Sequence, residues 1–137
     1  MPPYEKPLPV LTALNRPYFE ATKRGELRLQ TCSQCGHVRF PESTHCPRCL
    51  SPEAVWTIMS GRGRVWSFIV MHQKYFRSFA SDLPYNCALV QLEEGPLMMS
   101  TIVDTPAASI HCDMPVTVVF EQATEDITLP KFRPAST

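Results

Sequence analysis

Hydrophobic residues recur in short runs over the second half of the chain, and glycine or proline separates most of these runs. They cover residues 55–59, 65–73, 86–92, 97–103, 116–121 and 127–132. Short hydrophobic runs separated by turn residues predict β-strands, and a series of this kind predicts a small closed barrel. A five-stranded OB-fold is the natural candidate, and an SH3-like barrel fits the periodicity almost as well.

The first 26 residues follow a different pattern. Four of the first ten are proline, which predicts an extended arm. A short helix comes next, because Asn15 can cap it, Pro17 fits its first turn and Gly25 can end it. Tyr18 and Phe19 give this helix an apolar side. One short helix cannot build a core alone, so we expect it to pack on the rest of the chain or on another protein.

Two alternating stretches, 27–30 and 38–40, frame a segment rich in cysteine. They predict two short strands of a small module. We therefore expect three parts, which are an arm with a helix over residues 1–26, a cysteine module over 27–53 and a barrel over 54–137.

Four cysteines in two closely spaced pairs carry the clearest chemistry. Cys32 and Cys35 form the first pair, and Cys46 and Cys49 form the second. Two residues between paired thiols let one turn direct both sulfurs to a metal ion, and two such turns complete a tetrahedron. We predict a structural Zn²⁺ bound by all four thiolates, with no open position for a substrate. The module is too small to fold by apolar burial, so metal binding must supply much of its folding free energy.

Alternatives to this zinc site stay open at the level of sequence. Iron can also occupy a four-cysteine site of this kind. His37 or His45, beside the cysteine pairs, could replace a thiolate. Two disulfides would need an oxidising compartment, but the first residues lack the basic-then-apolar order of a signal peptide.

Charge and hydropathy argue against two classes of protein. The sequence has 13 Lys and Arg against 13 Asp and Glu, so its formal net charge is zero. This balance argues against a dedicated nucleic-acid-binding protein, which usually carries a basic excess. No apolar run approaches the roughly 20 residues that a membrane-spanning helix needs. We expect a soluble, cytoplasmic protein.

The sequence offers no catalytic motif. A nucleophile elbow, a glycine-rich phosphate loop and an HExxH helix are all missing. Cys87 and Cys112 stand alone in apolar stretches, and we interpret both as small buried hydrophobic residues. An enzyme acting through either thiol would need a base and a lowered pKa. We interpret His72 and His111 as structural or exposed histidines.

Several segments, taken in order, resemble one known family. They are LRLQTCSQCG (27–36), FP (40–41), CPRC (46–49), GRGRVWSF (61–68), PYNCALVQL (84–92), MPVTVVF (114–120) and LPKFRP (129–134). Together they resemble the proteins catalogued as domain of unknown function 35 (DUF35), over nearly the whole chain. The resemblance implies a mainly β fold, with an N-terminal helical and extended arm, a rubredoxin-like zinc ribbon and a C-terminal five-stranded OB-fold barrel.

The same resemblance implies an accessory subunit rather than a free-standing enzyme. Members of the family accompany thiolase-like catalytic subunits, including those of sterol side-chain aldolases and hydroxymethylglutaryl-CoA synthase assemblies. Others pair with MaoC-like enoyl-CoA hydratases. The partner supplies the catalytic residues, and a CoA thioester is the ligand of the complex. Because these partners catalyse different reactions, the resemblance does not identify the reaction of the complex.

A contact with CoA would need cations for its phosphates and apolar lining for its pantetheine arm. The loop 74–79 interleaves basic and aromatic residues, and we select it for ligand or partner contact. Its alternative role is to cover one end of the barrel. The candidate contact residues are Arg62, Arg64, Lys74, Tyr75, Phe76, Arg77, Phe79, Lys131 and Arg133.

The main rival function is the binding of single-stranded nucleic acid. Aromatic residues of the loop 74–79, together with Trp66 and Phe68, could stack on bases. The balanced charge weakens this hypothesis, because phosphate neutralisation dominates such affinity.

Overall fold

The computed structural model describes residue 4 and residues 6–135, and over these residues it contains one α-helix and eight β-strands. The strands form a three-stranded sheet and a curled five-stranded sheet. This mostly β architecture, with a short N-terminal helix and a small module that contains the paired cysteines, is the fold class that the sequence predicts. Within the described part of the chain, no helix is long and apolar enough to cross a bilayer. Residues 1–3 and 5 of the expected arm, and residues 136–137, lie outside the described residues.

Helix α1 (Arg16–Lys23) begins and ends where the sequence predicts. Pro17 lies in its first turn, and Gly25 follows its last turn with a φ of 79°. Asn15 lies at the predicted N-cap position, but its side chain makes no capping hydrogen bond to the helix. Asn15 Oδ1 instead accepts a hydrogen bond from the Thr12 backbone N–H at 2.7 Å. The side chain therefore stabilises the turn before the helix.

The three-stranded sheet lies around the cysteine pairs. Its strands β1 (Arg28–Cys32), β2 (Val38–Arg39) and β3 (Ala54–Ile58) are arranged in the order β2-β1-β3. The sequence predicts β3 as the first strand of the barrel, but this strand pairs antiparallel with all five residues of β1. The physical reason is that β2 covers one edge of β1 and leaves the other edge free for a further strand. The division of the chain at residues 26 and 53 stays a prediction.

The five-stranded sheet is built from the strands that the second half of the sequence predicts. Their bounds are Arg62–Met71 for β4, Tyr85–Leu92 for β5, Leu97–Ser100 for β6, Pro115–Gln122 for β7 and Thr128–Pro134 for β8. They are arranged in the order β6-β5-β4-β7-β8. Strand β4 pairs with β5 over almost its whole length, with a register shift between Val65 and Ser67. Such a bulge bends a strand and raises its twist, which helps this sheet to curl.

The two ends of this curled sheet meet. Ile102, just after β6, forms a parallel bridge with Phe132 of β8. The Val103 N–H donates to the Phe132 carbonyl at 2.7 Å, and the Phe132 N–H donates to the Thr101 carbonyl at 3.1 Å. The buried side chain of Asn86 adds two bonds to the backbone of Ile102, at 2.7 and 2.9 Å. These bonds hold the five strands in the barrel-like curl of an OB-fold.

One hydrophobic cluster runs through the molecule. Val65, Val90 and Phe132 of the barrel are fully buried in it. The same cluster contains Tyr18 and Phe19 of α1 together with Leu27 and Leu29 from the start of the cysteine module. Helix, ribbon and barrel therefore share a core. The helix and the first ribbon strand reach the barrel through apolar packing.

The described part of the N-terminal arm lies against the segment that follows β4. The Lys6 ammonium pairs with the Asp82 carboxylate and sits 5.3 Å from the centroid of the Phe79 ring. The hydrogen bond to Asp82 raises the pKa of Lys6. Tyr4 and Leu11 pack against the edge of the core. Over these residues the arm therefore packs against the barrel.

Candidate metal centre and contact surfaces

The first cysteine pair is held by the end of strand β1. Cys32 is the last residue of that strand, and its N–H donates to the His37 carbonyl at 2.9 Å. The chain then turns tightly, because the Gly36 N–H donates to the Cys32 carbonyl at 3.0 Å. The Cys35 N–H points at the Cys32 sulfur, 3.5 Å away. This turn directs both thiols of the pair to one side.

The second cysteine pair repeats the first turn. The Leu50 N–H donates to the Cys46 carbonyl at 2.8 Å, which is the bond that Gly36 makes in the first turn. The Arg48 N–H points at the Cys46 sulfur, 3.4 Å away. Two similar turns therefore present four thiols to a common centre.

The four sulfur atoms lie within 4.8 Å of one another. The Cys32 and Cys49 sulfurs are 3.5 Å apart, and the Cys35 and Cys46 sulfurs are 3.6 Å apart. A tetrahedral Zn²⁺ with Zn–S bonds of about 2.3 Å separates its ligand sulfurs by about 3.8 Å. The donor set and its spacing fit a four-thiolate zinc ribbon, as the sequence predicts. Neither His37 nor His45 belongs to the cluster.

The electrostatics of the cluster favour a bound cation. The backbone N–H of Cys35, assisted by that of Gln34, lowers the pKa of the Cys32 thiol to about 6. The Ser51 N–H lowers the pKa of Cys49, but the neighbouring sulfurs outweigh it and raise that pKa to about 12. Four thiols so close together cannot all lose their protons near neutral pH without a compensating positive charge. A divalent ion supplies that charge.

A buried arginine orders the loop between the two cysteine pairs. Arg39 of β2 is 4% exposed, and its Nε donates to Gln30 Oε1 at 2.9 Å. Its Nη2 donates to the Ser43 carbonyl at 3.1 Å, and the Ser43 N–H donates to the same Gln30 oxygen. Nothing in the sequence pattern predicts this network. A lone arginine in a two-residue strand gives no signal of burial.

The predicted contact residues fall into three separate places. Arg62 and Arg64 lie at the start of β4, and Arg133 lies near them on β8. The loop 74–79 follows the other end of β4, so it is remote from these arginines. Lys131 pairs with Glu121 at 2.8 Å and lines a different, mostly apolar groove. The structure does not bring the nine residues together.

The aromatic loop divides into an exposed half and a packed half. Tyr75 and Phe76 are 65% and 55% exposed, and Lys74 and Arg77 are exposed beside them. Phe79 is half-buried, because its ring packs on Tyr85 with centroids 5.3 Å apart. Phe79 therefore anchors the loop to the barrel. The exposed residues before it stay available for contact.

The two lone cysteines differ from the prediction. Cys112 is exposed and Cys87 is half-buried, so the expectation of two buried thiols is wrong. Cys112 lies in a surface turn before β7, and Cys87 lies on the outer face of β5. Burial raises the pKa of the Cys87 thiol. That shift opposes the thiolate that a nucleophile needs.

Both halves of the chain match models of known protein domains. Residues 19–54 match the model described as the rubredoxin-like zinc ribbon domain of ChsH2. Residues 56–121 match the C-terminal OB-fold domain of ChsH2. The two matches meet near β3.

Several known proteins are similar to the chain. A probable enoyl-CoA hydratase alpha subunit of Thermomonospora curvata is 35% identical over 130 residues, which are 95% of this chain and 40% of that protein. A DUF35 domain-containing scaffold protein of Methanothermobacter thermautotrophicus is 33% identical over 85% of this chain and 88% of that protein. Benzoylsuccinyl-CoA thiolase subunit BbsA of Thauera aromatica is 27% identical over 81% of this chain and 78% of that protein.

A solved structure is similar in fold and sequence. It is titled Ltp2-ChsH2(DUF35) aldolase and matches with a TM-score of 0.84 and 35% identity. The match covers 94% of this chain and 100% of the solved chain. The similarity therefore extends from the helix through the ribbon to the barrel.

Proposed function

The chain belongs to the DUF35 family, and from this premise we propose that it is a non-catalytic, zinc-binding accessory subunit of a heteromeric acyl-CoA-processing enzyme. Its partner in this proposal is a thiolase-like catalytic subunit that acts as a thiolase, an acyltransferase or a retro-aldolase in the cytoplasm. The accessory chain stabilises that subunit.

One observation carries the proposal. Proteins similar to this chain over both ribbon and barrel are named as subunits of acyl-CoA enzymes, among them the thiolase subunit of Thauera aromatica. The Ltp2-ChsH2(DUF35) aldolase supports the same assignment, because all of its solved DUF35 chain matches this one. The chain spans only 40% of the length of the Thermomonospora curvata hydratase subunit.

The zinc site has a structural role in this proposal. Cys32, Cys35, Cys46 and Cys49 are the proposed ligands, and four protein ligands leave no position for substrate or water. The ion fixes the two turns relative to each other. It thereby gives the ribbon a defined surface for the partner. The catalytic residues belong to the partner subunit.

A contact with the CoA thioester is a further part of the proposal. The exposed residues of the aromatic loop supply cations and aromatic surface on one side of the barrel. Arg62 and Arg64 supply cations on another side. Because these two sites are remote, we propose that the loop meets the partner and that the arginines meet the ligand.

A second candidate partner is a MaoC-like enoyl-CoA hydratase. The identity of 35% to a probable enoyl-CoA hydratase alpha subunit over 95% of this chain favours it. In that case the chain supports hydration of an unsaturated acyl-CoA. The role of the zinc ribbon is the same.

Co-purification tests the proposal. The tagged chain, expressed in its native host, should retain a thiolase-like subunit that mass spectrometry identifies, and the complex should turn over an acyl-CoA that the chain alone does not. The variants C32S and C49S should lose zinc and retain less of the partner. The matched control C112S changes an exposed thiol outside the metal cluster and should retain both.

The contrary outcomes separate the hypotheses. A hydratase-like partner selects the second candidate. A ribosomal partner or bound single-stranded nucleic acid contradicts the proposal. Turnover of acyl-CoA by the purified chain alone contradicts its non-catalytic role.

A further inference from the structure

We infer that the catalytic subunit docks on an apolar face of the barrel, through an apolar segment that carries carboxylates at one end. This outer apolar face consists of Ile69, Cys87, Leu89 and Met99 on the outside of β4, β5 and β6. The inference rests on the proposed function, since it names the surface and the chemistry by which the partner is bound. None of the four residues is among the predicted contact residues.

Strand register brings the outer apolar face together. Leu89 of β5 lies between Ser67 of β4 and Met99 of β6. In the next row, Ile69 of β4 pairs with Cys87 of β5. Residues that are paired across neighbouring strands point to the same side of a sheet. The four apolar side chains therefore form one continuous surface across three strands.

Alternation along β5 shows that this surface points away from the core. Ala88 and Val90 are fully buried, whereas Cys87 and Leu89 between and beside them are only half-buried. Successive residues of a strand point to opposite faces of the sheet. Cys87 and Leu89 therefore belong to the outside of the barrel.

The composition of the face is unusual for a sheet that borders water. Antiparallel sheets with one solvated face normally alternate between apolar residues inside and polar residues outside. Here Ile69 and Met99 are 57% and 62% exposed. A contiguous apolar patch with a polar rim is typical of a site of protein interaction.

A small depression in the face fits a protein side chain. Its volume is about 120 Å³, and all four residues of the outer apolar face line it together with Ser67 and Phe68. Pockets for small-molecule ligands start at about 300 Å³. Apolar anchor residues of protein interfaces, by contrast, fill pockets of this kind one side chain at a time. We therefore assign the depression to one apolar residue of the partner.

Charge at one end of the face defines the rest of the docking segment. The aromatic loop follows β4 there, and its Lys74 and Arg77 are exposed. Within the described residues, no carboxylate lies within 4.0 Å of either cation. Asp82, which follows the loop, is already paired with Lys6. Carboxylates of the partner would therefore complement two cations that lack an acidic neighbour.

The opposite end of the face is also positive. Arg64 of β4, in register with Gln91 of β5, lies there, and in the described part of the chain it has no carboxylate within 4.0 Å. Two copies packed face to face would place the basic loop of one copy against the loop or the Arg64 end of the other. Like charges would meet in both orientations, which disfavours a second copy. The middle of the face has no cation for a phosphate, which disfavours nucleic acid.

Apolar-to-acidic variants test the face in the complex that co-purifies from the native host. I69E and M99E should each reduce the retained catalytic subunit about tenfold or more, because an anchor site that receives a carboxylate loses its packing and its dry surroundings. Both side chains are exposed in the free chain, so zinc content and thermal midpoint should stay at the wild-type values. The matched control V10E changes an exposed apolar residue of the N-terminal arm and should retain the partner.

Cys87 reports on the same face without a mutation there. Its thiol is half-buried in the free chain. N-ethylmaleimide should label it about tenfold more slowly in the complex than in the free chain at the same pH, because a docked anchor excludes the reagent. Mass spectrometry of the labelled peptide measures the rate.

A charge variant tests the acidic end of the docking segment. The double variant K74E/R77E should weaken the complex about fivefold, because like charges then face each other at the rim. Added NaCl should weaken the wild-type complex more than the variant complex, since salt screens the attraction that only the wild type has.

The outcomes separate the docking face from the proposed function. If the wild type retains a catalytic subunit and I69E and M99E retain as much, or if Cys87 reacts equally fast in the complex, the docking face is wrong and the proposed function stands. If the wild type retains no catalytic subunit, both are wrong. Dimers of the free chain, or binding of single-stranded DNA, that I69E abolishes would assign the face to a second copy or to nucleic acid and overturn the inference.

Discussion

The residue that follows each cysteine pair has the same unusual backbone conformation. Gly36 has a φ of 77° and Leu50 a φ of 69°, and each donates to the carbonyl of the first cysteine of its pair. Glycine adopts this left-handed region without steric cost, whereas other residues lose about 1–2 kcal/mol there. The two turns are therefore equivalent in shape, and the second one carries more strain.

Exchanging these residues should change stability in opposite directions. G36A should lower the free energy of unfolding by about 1 kcal/mol, because a Cβ at this φ is strained although no atom beyond the neighbouring residues of the chain lies within 4 Å of it. L50G should raise it by up to about 1 kcal/mol, because Leu50 is 73% exposed and its side chain contributes little packing. Urea unfolding at a fixed excess of zinc measures both. A loss of stability in L50G as large as in G36A would contradict the strain.

At the scale of elements, helix α1 is attached to the barrel by a buried hydroxyl as well as by apolar packing. Thr22 is fully buried, and its Oγ1 donates to the Thr128 carbonyl of β8 at 2.7 Å. In the sequence, this threonine cannot be told apart from an exposed polar residue of a short helix. Its partner is 106 residues away, so only the folded chain shows the bond.

Replacing this hydroxyl by a methyl group should weaken the attachment of helix α1 to the barrel. T22V keeps the shape of the side chain and removes the donor, so the free energy of unfolding should fall by about 1–2 kcal/mol. Thr57 of β3 is exposed, and T57V as a matched control should change stability by less than about 0.5 kcal/mol. Denaturant unfolding of both variants provides the measurement. Equal stability of T22V and T57V would show that apolar packing alone holds the helix.

At the scale of the whole molecule, ribbon and barrel share one hydrophobic core. Leu27 and Leu29 lead into the first cysteine turn and are buried in the same cluster as Phe132 of the barrel. A change that releases the metal should therefore act beyond the ribbon. Metal-binding free energy contributes to the stability of every element that packs on it.

Loss of a zinc ligand should lower the stability of the entire chain. C49S should lose bound zinc and shift the thermal midpoint down by roughly 10 °C or more, in a single transition. The matched control C112S changes another exposed thiol, which lies outside the cluster, and should keep both the zinc content and the thermal midpoint. Elemental analysis and calorimetry give the two readouts. Full zinc content in C49S would remove Cys49 from the ligand set, and iron in the wild-type protein would change the identity of the metal.

Local signals in the sequence predicted local structure well. Pro17 and Gly25 gave the ends of α1, and the hydrophobic runs gave the strands of both sheets. The spacing of Cys32, Cys35, Cys46 and Cys49 gave the candidate metal cluster, because two short turns suffice to gather four thiols. These features depend on neighbouring residues, which is why pattern and spacing contain them.

Features that depend on distant partners were missed or misjudged. The alternation of β3 fits any sheet with a free edge, so it could not show that this strand pairs with β1 rather than with the barrel. Cys112 stands in an apolar stretch, yet the turn before β7 exposes it. The burial of Arg39 depends on Gln30 and Ser43, which only the ribbon fold brings to it.

The sequence by itself thus determined the order of the elements, the cysteine cluster and the family resemblance, since each is a matter of residue type and short spacing. The tertiary structure decided which predicted contact residues stand together. It separated the aromatic loop from Arg62 and Arg64 by placing them at opposite ends of β4, and it brought Arg133 near the two arginines through β7. Register and curvature of a sheet fix such distances, and both arise from pairing between strands that are far apart in the chain.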